Sequence, residues 1–233
     1  AAGGPGGVKA LFEGILSRPK VGHEGRGMVT VHSRDPWIIT IDGFISGEEA
    51  DALLKAGGHT WTRSLAGDGV QAARTSSTSW CTGACVEDAA VRRVQDRVDD
   101  LTGIPAEHAE FIQMLRYEPG QFYKRHHDQN SPRSSPWGPR LYTFYMYLSD
   151  VESGGQTAFP ALNITVEPKK GRAILWTNVV DGDPYQRDDR TDHESIPVGS
   201  GVKFGSNVWL HLFPYRKISR NGCDNIPYIN NWR

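Results

Sequence analysis

Long apolar runs and a strong net charge are both missing from this chain of 233 residues. No stretch of about 18 consecutive apolar residues occurs, so we expect no membrane-spanning helix. The 26 basic residues nearly balance the 27 acidic ones, which leaves a formal net charge of −1. This balance argues against nucleic acid as a partner, because nucleic-acid-binding proteins carry a basic face. The hydrophobic content of 38% is sufficient for the core of one domain.

Cysteine is scarce as well, with only Cys81, Cys85 and Cys223 in the chain. An odd number allows one disulfide beside a free thiol, or three free thiols, and the sequence does not choose between them. No Cys-x-x-Cys pair occurs, so a structural zinc site is not expected. The chain begins at Ala1 rather than at methionine, and we expect any targeting segment to lie outside it.

The first part of the chain shows little hydrophobic periodicity. Residues 1–27 contain many glycines, a composition typical of mobile segments. We therefore expect a flexible N-terminal segment over residues 1–35, followed by a single domain over residues 36–233.

Two helices are predicted in the first half of that domain. Ser46 with Glu49 three residues later matches a capping box, which indicates a helix that begins near residue 47. Four apolar residues spaced three and four apart predict a second helix: Val91, Val94, Val98 and Leu101. The polar stretch 63–81 between the two helices is expected to be a surface loop.

From residue 110 onward the pattern changes to short apolar or alternating runs that are separated by turn signals. Several short strands without a long helix between them favour an antiparallel sandwich or barrel. The predicted strands are 110–117, 140–148, 156–159, 164–167, 172–177, 193–198 and 203–213. The segments 129–139 and 178–192 are expected to be long loops, which in compact domains are frequently functional.

Three residues in this half have the identity and spacing of metal ligands. His126 and Asp128 stand two positions apart, so both point to one face of an extended segment while His127 points away. Together with the later His193 they make two histidines and one carboxylate, the facial triad of non-haem Fe(II) oxygenases. Lys203, ten residues beyond His193, is a candidate to hold the distant carboxylate of a co-substrate.

The sequence around these residues resembles the prolyl 4-hydroxylases of the collagen, plant and algal type, a family of 2-oxoglutarate-dependent dioxygenases. The resemblance runs from about Trp37 to Phe213 and rests on the order and spacing of five motifs. They are 116–123 (RYEPGQFY), 154–160 (GGQTAFP), 168–173 (PKKGRA), 193–198 (HESIPV) and 201–204 (GVKF).

The resemblance implies a mainly β fold with flanking helices, built on a double-stranded β-helix, or jelly-roll, core. It also implies a single Fe(II) ion that is bound by His126, Asp128 and His193. The expected co-substrates are 2-oxoglutarate and O2, with ascorbate as an additional cofactor.

The far carboxylate of 2-oxoglutarate is expected, on the same resemblance, to pair with Lys203. It would also accept hydrogen bonds from Tyr117 and Thr157, and charge-assisted hydrogen bonds of this kind are the stronger ones. Lysine acts as a compact point charge, whereas arginine would grip a carboxylate with a rigid fork. Within the resemblance, lysine at this position indicates the collagen and cell-wall type.

On the substrate side, the resemblance places three catalytic and substrate-binding residues around the target proline: Tyr123, Arg140 and Trp209. Arg74 belongs to an Arg-Thr-Ser loop that closes over bound peptide in the family. A proline in an extended polyproline II segment docks well on aromatic surfaces. Segment 129–139 departs from the family pattern, and Ile196 stands where the family often has a cysteine.

The expected function is hydroxylation of peptidyl proline to 4-hydroxyproline, coupled to oxidative decarboxylation of 2-oxoglutarate to succinate and CO2. One alternative is a 2-oxoglutarate-dependent hydroxylase of a small molecule or of a non-proline peptide residue. Another is a catalytically silent peptide-binding module, against which the intact triad argues. We expect a monomer whose partner is a proline-rich peptide or protein. Family analogy favours the secretory pathway, in the lumen of the endoplasmic reticulum or Golgi.

Overall fold

The computed structural model describes residues 7–65 and 72–220. Its helices are α1 (Gly7–Leu16), α2 (Gly47–Gly57), α3 (Ala84–Glu87), α4 (Ala89–Thr102) and α5 (Tyr215–Arg220). The strands of the first half are β1 (Met28–Arg34), β2 (Trp37–Asp42), β3 (Thr62–Arg63), β4 (Ser77–Trp80), β5 (Gln113–Tyr117) and β6 (Tyr123–His126). The following strands are β7 (Arg140–Tyr147), β8 (Ser153–Gly154), β9 (Thr157–Phe159), β10 (Ile164–Val166) and β11 (Ala173–Thr177). The last strands are β12 (Val179–Val180), β13 (Asp183–Arg187), β14 (His193–Ser195), β15 (Val198–Ser200) and β16 (Lys203–His211).

Two antiparallel sheets form the β core. The larger sheet has the strand order β1-β2-β11-β7-β16-β5-β4-β3, and the smaller one has the order β10-β9-β14-β6. An apolar cluster with members from both sheets includes Tyr147 and Trp176 of the large sheet and Phe159 of the small one. This arrangement confirms the predicted jelly roll with flanking helices.

The helices pack their apolar side chains against the other face of the large sheet. Both predicted helices are present. In α2 the capping box of Ser46 and Glu49 forms as expected, with both reciprocal hydrogen bonds. The four apolar residues that predicted α4 are all buried: Val91, Val94, Val98 and Leu101. Arg97 of α4 donates two hydrogen bonds of 2.7 Å to the carboxylate of Glu49, which ties the two helices together.

The expectation of a flexible segment over residues 1–35 is wrong for residues 7–34. Those residues form α1 and β1, and Phe12 of α1 is fully buried with its ring stacked on Trp37 at 5.2 Å. The reason is that Val8, Phe12 and Ile15 lie on one buried face of a helix, a pattern that the surrounding glycines obscure. Residues 1–6 lie outside the described residues.

Two of the predicted loops contain short strands. The polar stretch 63–81 includes β4, which lies between β5 and the edge strand β3 of the large sheet. Its residues 66–71 lie outside the described part. The stretch 178–192 includes the hairpin of β12 and β13, whose turn uses Gly182 at a φ of +91°. Segment 129–139 contains neither helix nor strand, as predicted.

The cysteines settle one question that the sequence left open. Cys81 and Cys85 form a disulfide, while Cys223 lies outside the described residues. In residues 7–65 and 72–220, no helix combines the length and the apolar character needed to cross a membrane.

Candidate metal centre and its cavity

One cavity opens between the two sheets and brings together every residue that the sequence predicts for the site. Its walls include Arg74, Tyr117, Tyr123, His126, Asp128, Arg140, Thr157, His193, Lys203 and Trp209. These residues come from six strands and two loops, so their convergence depends on the fold.

The triad is assembled where β6 and β14 run side by side, with His126 paired to His193 across the strands. One ligand atom from each of His126, Asp128 and His193 lies within 4.8 Å of the others. The Nδ1–H of His126 donates to the carbonyl of Lys124 at 2.8 Å, and that of His193 donates to the carbonyl of Thr191 at 3.1 Å. Both Nε2 atoms are therefore left with a lone pair for a metal.

His127 is already fully bonded to the protein. Its Nδ1 accepts a hydrogen bond of 2.9 Å from the backbone N–H of Gln129. Its Nε2 therefore carries the proton, and it lies 3.0 Å from the carbonyl of Asp188 and 3.1 Å from the hydroxyl of Thr191. No nitrogen of His127 remains for a metal.

The carboxylate of Asp128 is held by two donors: Thr143, which the sequence does not single out, and Trp209, which the sequence resemblance places beside the target proline. Its Oδ2 accepts hydrogen bonds from the hydroxyl of Thr143 at 2.7 Å and from Nε1 of Trp209 at 3.0 Å. Asn178 in turn donates to the Thr143 hydroxyl at 2.9 Å. Because Oδ2 is occupied, Oδ1, which lies 3.6 Å from Nε2 of His126, is the oxygen available to a metal.

The protonation states also suit a metal site. Burial lowers the pKa of His193 to about 3, so its imidazole is neutral at physiological pH. Burial alone would raise the pKa of Asp128, but its contact with His126 and the nearby positive charge of Arg140 hold it well below its usual range. Two imidazoles and one carboxylate with free positions on the metal fit Fe(II).

Lys203 is a buried cation beside the metal site. It is 1% exposed, and its ammonium group donates to the hydroxyl of Ser195 at 2.8 Å. The rings of three tyrosines surround it at 5.1 to 5.6 Å: Tyr117, Tyr145 and Tyr147. Burial lowers its pKa to about 7, and no acidic side chain in the described part of the chain forms an ion pair with it. A buried ammonium without a counter-ion fits the binding of an anionic ligand.

Thr157 lies close to this cation. Its hydroxyl is 2.7 Å from that of Tyr147. Because the Tyr147 hydroxyl donates its proton to the carbonyl of Val166 at 3.2 Å, Thr157 is the donor between the two hydroxyls.

On the opposite wall, Tyr123 lies flat against a metal ligand. Its ring stacks on that of His126 with 3.5 Å between centroids and 15° between planes. The guanidinium of Arg74 covers the same tyrosine at 4.6 Å from the ring centre, and Arg74 also pairs with it in an isolated β-bridge. The arrangement presents an aromatic surface directly beside the metal site.

Arg140 belongs to a buried charge network. Its Nε donates to Glu110 at 2.6 Å, and Nε2 of His211 contacts the same carboxylate oxygen at 2.8 Å. Burial opposes the charge on Glu110, but Arg140 and His211 outweigh it and lower the pKa to about 2. The guanidinium of Arg140 lies 3.8 Å above the ring of Trp209, so both side chains have one fixed orientation.

Some of the missed residues left a signal in the sequence. His211 follows Trp209 by two positions, and Thr143 precedes Tyr145 by two, so strand alternation would have placed each on the cavity face. Ser195 likewise follows His193 by two positions on β14. Glu110 and Asn178 carry no comparable signal, because each meets its partner through tertiary packing.

Comparisons with known proteins agree with this site. The 2OG-Fe(II) oxygenase superfamily matches residues 112–211. The chain is similar to the prolyl 4-hydroxylase subunit alpha-1 of Rattus norvegicus, with 38% identity over 59% of this chain but only 26% of the rat chain. It is 30% identical to the probable prolyl 4-hydroxylase 3 of Arabidopsis thaliana, over 84% of this chain and 76% of the plant chain.

Solved structures show the same likeness. The viral collagen prolyl hydroxylase of Paramecium Bursaria Chlorella virus-1, solved as a 2OG complex, superposes with a TM-score of 0.62 and 30% identity. That superposition covers 75% of this chain and 95% of the viral chain.

Proposed function

The chain belongs to the prolyl 4-hydroxylases of the 2OG-Fe(II) oxygenase superfamily, and from this premise we propose that it hydroxylates peptidyl proline to 4-hydroxyproline. The observation that supports the proposal most is a single cavity that joins the triad, the buried Lys203 and an aromatic wall at Tyr123. The cofactors of the family are Fe(II), 2-oxoglutarate and O2, with ascorbate. When bound, they supply an oxidation that converts 2-oxoglutarate to succinate and CO2 and adds one oxygen atom to the substrate.

The protein would bind the metal through Nε2 of His126, Oδ1 of Asp128 and Nε2 of His193. Three ligands on one side of an ion leave the other positions open for co-substrates. The backbone carbonyls that accept from each Nδ1–H fix the two imidazole rings, and fixed rings are pre-organised for binding.

The binding site for the far carboxylate of 2-oxoglutarate would consist of Lys203, Tyr117 and Thr157, joined by Ser195. The ammonium group already donates one hydrogen bond to Ser195, so its other N–H groups can turn to the ligand. Since the surrounding pocket is buried, each charge-assisted hydrogen bond there is stronger than it would be in water.

The target proline would lie against Tyr123, in the cavity that is also lined by Arg140 and Trp209, both of which donate hydrogen bonds to Asp128. Stacking between Tyr123 and His126 fixes the distance from the aromatic surface to the metal ligand. Arg140 is neutralised by Glu110, so it can orient a peptide carbonyl without placing an unpaired charge in the cavity. Arg74, held on the ring of Tyr123, would contact the peptide from the side of the 72–76 segment.

The proposed partner is a proline-rich peptide or protein, bound by a monomer. A polyproline II segment is already extended, so it loses little conformational entropy on docking to an aromatic surface. We propose the lumen of the secretory pathway as its location, a setting supported by the Cys81–Cys85 disulfide.

The test is mass spectrometry of a panel of proline-rich peptides after incubation with the protein, Fe(II), 2-oxoglutarate and ascorbate, with succinate measured in parallel. We expect a gain of one oxygen on proline in a one-to-one ratio with succinate, and neither product with Asp128→Ala. Matched peptides with alanine in place of proline should stay unmodified. Succinate without modified proline would refute the substrate, and no succinate at all would refute the oxygenase.

A further inference from the structure

Alternate residues of β16 form a path from the buried cation to the metal ligands. Lys203, Gly205, Asn207 and Trp209 face one side of the strand, and the three with side chains line the cavity. Lys203 marks one end, and Trp209, whose Nε1 donates to Asp128, marks the other. A 2-oxo acid that reaches from the metal to Lys203 must therefore pass over Gly205 and Asn207.

Tyr145 occupies the space that Gly205 leaves open. In the pairing of β7 with β16, Tyr145 lies opposite Asn207, and Tyr147 lies opposite Gly205. The phenol of Tyr145 leans along the strand, so a Cβ atom at position 205 would overlap its hydroxyl oxygen and its Cζ. Glycine at 205 is what permits tyrosine at 145.

The hydroxyl of Tyr145 is a buried group without a hydrogen-bond partner in residues 7–65 and 72–220. The side chain lines the cavity and is 6% exposed, and Nζ of Lys203 lies 5.6 Å from the centre of its ring. Burial raises the pKa of Tyr145 well above its usual value, so the hydroxyl keeps its proton. Buried hydroxyl groups almost always find a partner, which points to a ligand that completes this one.

We propose that Tyr145 is a further co-substrate-binding residue that also sets which 2-oxo acid is accepted. Its hydroxyl donates a hydrogen bond to the terminal carboxylate of 2-oxoglutarate, next to the ammonium group of Lys203. Its ring, seated over Gly205, limits the length of the acid to five carbons. The inference rests on the proposed function, because it takes 2-oxoglutarate as the co-substrate.

The chemistry of the ligand and the shape of the site agree. A carboxylate has two oxygens and about four lone-pair sites, so it can accept from Lys203 and Tyr145 together. A six-carbon acid such as 2-oxoadipate has one more methylene to place between the metal and Lys203. The ring of Tyr145 fills that space and, since Gly205 has backbone beneath it, the ring cannot move away on that side.

The first experiment measures 2-oxoglutarate binding by calorimetry with Mn(II) in place of iron, so that no turnover is needed. Tyr145→Phe keeps the ring and removes the donor, and we expect the Kd for 2-oxoglutarate to rise by roughly tenfold or more. The Kd for Mn(II) should not change. The control is Tyr142→Phe on the same strand, because the ring of Tyr142 lies on the opposite face near Phe12; it should bind 2-oxoglutarate as the unsubstituted protein does.

The second experiment tests the length limit. Tyr145→Leu removes the ring, and we expect the ratio of the Kd for 2-oxoadipate to the Kd for 2-oxoglutarate to fall by about tenfold. Gly205→Ala should weaken 2-oxoglutarate binding by displacing the ring, and Tyr145→Leu in the Gly205→Ala background should recover part of that loss. Such coupling between the substitutions at 145 and 205 is the signature of direct contact. A purely structural role of Tyr145 would leave the ratio of the two Kd values unchanged.

The outcomes separate this inference from the proposed function. Unchanged 2-oxoglutarate affinity in Tyr145→Phe, or an unchanged ratio in Tyr145→Leu, would overturn the role of Tyr145 while leaving the enzyme assignment intact. If the unsubstituted protein with Mn(II) does not bind 2-oxoglutarate, the co-substrate of the proposed function is wrong, and the role of Tyr145 falls with it.

Discussion

At the scale of single residues, the site depends on partners that fix each functional group in one state. Backbone carbonyls orient the two imidazoles of the triad, and Thr143 and Trp209 occupy one oxygen of Asp128. The pairing of Arg140 with Glu110 likewise leaves one orientation for its guanidinium. The chemistry therefore depends as much on these neighbours as on the ligands themselves.

The triad assignment predicts that His126→Ala loses both metal and turnover. The remaining Asp128 and His193 provide two ligands, too few to keep Fe(II) in place. Metal content after dialysis and succinate formation measure the two effects. His127→Gln is the matched control, since both ring nitrogens of His127 already bond to the protein. This variant should retain the metal even if the substitution lowers its folding stability.

Thr143→Val tests the support of Asp128, because valine has the shape of threonine without the hydroxyl. Loss of the 2.7 Å hydrogen bond to Oδ2 should lower the metal affinity by about 10- to 100-fold. A Co(II) titration followed by absorbance measures this without turnover. Thr78→Val removes a buried hydroxyl that donates to the carbonyl of Met114 and lies outside the cavity, so an equal loss in that variant would contradict the assignment.

The pKa of Lys203 predicts how 2-oxoglutarate binding depends on pH. Burial lowers this pKa to about 7, so the amine is mostly neutral at pH 8, and a bound carboxylate draws a proton onto it. Binding at pH 8 should therefore take up a proton, and affinity should be highest below pH 7 and fall as pH rises through 7.

Calorimetry in buffers of different ionisation enthalpy measures that uptake. Lys203→Arg is the control, because an arginine stays protonated throughout this range. Binding to the unsubstituted protein without proton uptake at pH 8 would show that the amine is charged before the ligand arrives.

At the scale of elements, local signals decide where the helices begin and end. Ser46 and Asp88 cap α2 and α4 through hydrogen bonds to backbone N–H groups. Gly103 ends α4 in the left-handed conformation, with a φ of +68°. These helices support the large sheet from outside, and the link between Glu49 and Arg97 holds them together.

Glu49→Gln tests that link. Burial opposes the charge on Glu49, but hydrogen bonds from Arg97 and from the backbone of Ser46 lower its pKa to about 2. Because the folded-state pKa lies below the unfolded one, the ionised carboxylate stabilises the fold above about pH 4.5, and this contribution is lost as pH falls toward 2. We expect Glu49→Gln to lower the free energy of unfolding by about 1–3 kcal/mol at pH 7, with a smaller difference from the unsubstituted protein at pH 4.

Urea unfolding at the two pH values measures the effect. Glu48→Gln, one residue earlier in the exposed first turn, is the control and should change stability little. An equal loss in both variants would mean that the helix dipole, and not Arg97, accounts for the result.

At the scale of the whole molecule, the helical layer and one face of the large sheet share one continuous apolar core. In that core Phe12 of α1 contacts both Trp37 of β2 and Tyr142 of β7. The other face of β7 lines the cavity. The helices that pack on the first face of this strand therefore support the site without contacting it.

Phe12→Ala follows from this arrangement. Removal of a fully buried aromatic ring that stacks on Trp37 should cost about 3–5 kcal/mol of folding stability. Metal and 2-oxoglutarate affinities of the folded fraction should stay the same. Thermal or urea unfolding measures the loss, and Lys9→Ala on the exposed face of α1 is the control. If Phe12→Ala is as stable as the unsubstituted protein, α1 does not pack on the core and belongs to the flexible N-terminal segment that the sequence predicts.

The sequence by itself indicated the metal site and seven of the sixteen strands in the described part of the chain. His126 and Asp128 follow from residue type and spacing, because a strand places every second side chain on one face, whereas His193 and Lys203 rest on the resemblance to the prolyl 4-hydroxylases. The helix caps and turn glycines are equally local, so their positions follow from neighbouring residues.

Only the tertiary structure decided which side chains meet across the fold. Glu110 reaches Arg140 and His211, Asn178 reaches Thr143, and Tyr145 lies over Gly205. The burial of α1 is of the same kind. The physical reason is that these contacts join strands and helices far apart in sequence, and their energies exist once packing has brought the partners within hydrogen-bond or van der Waals distance.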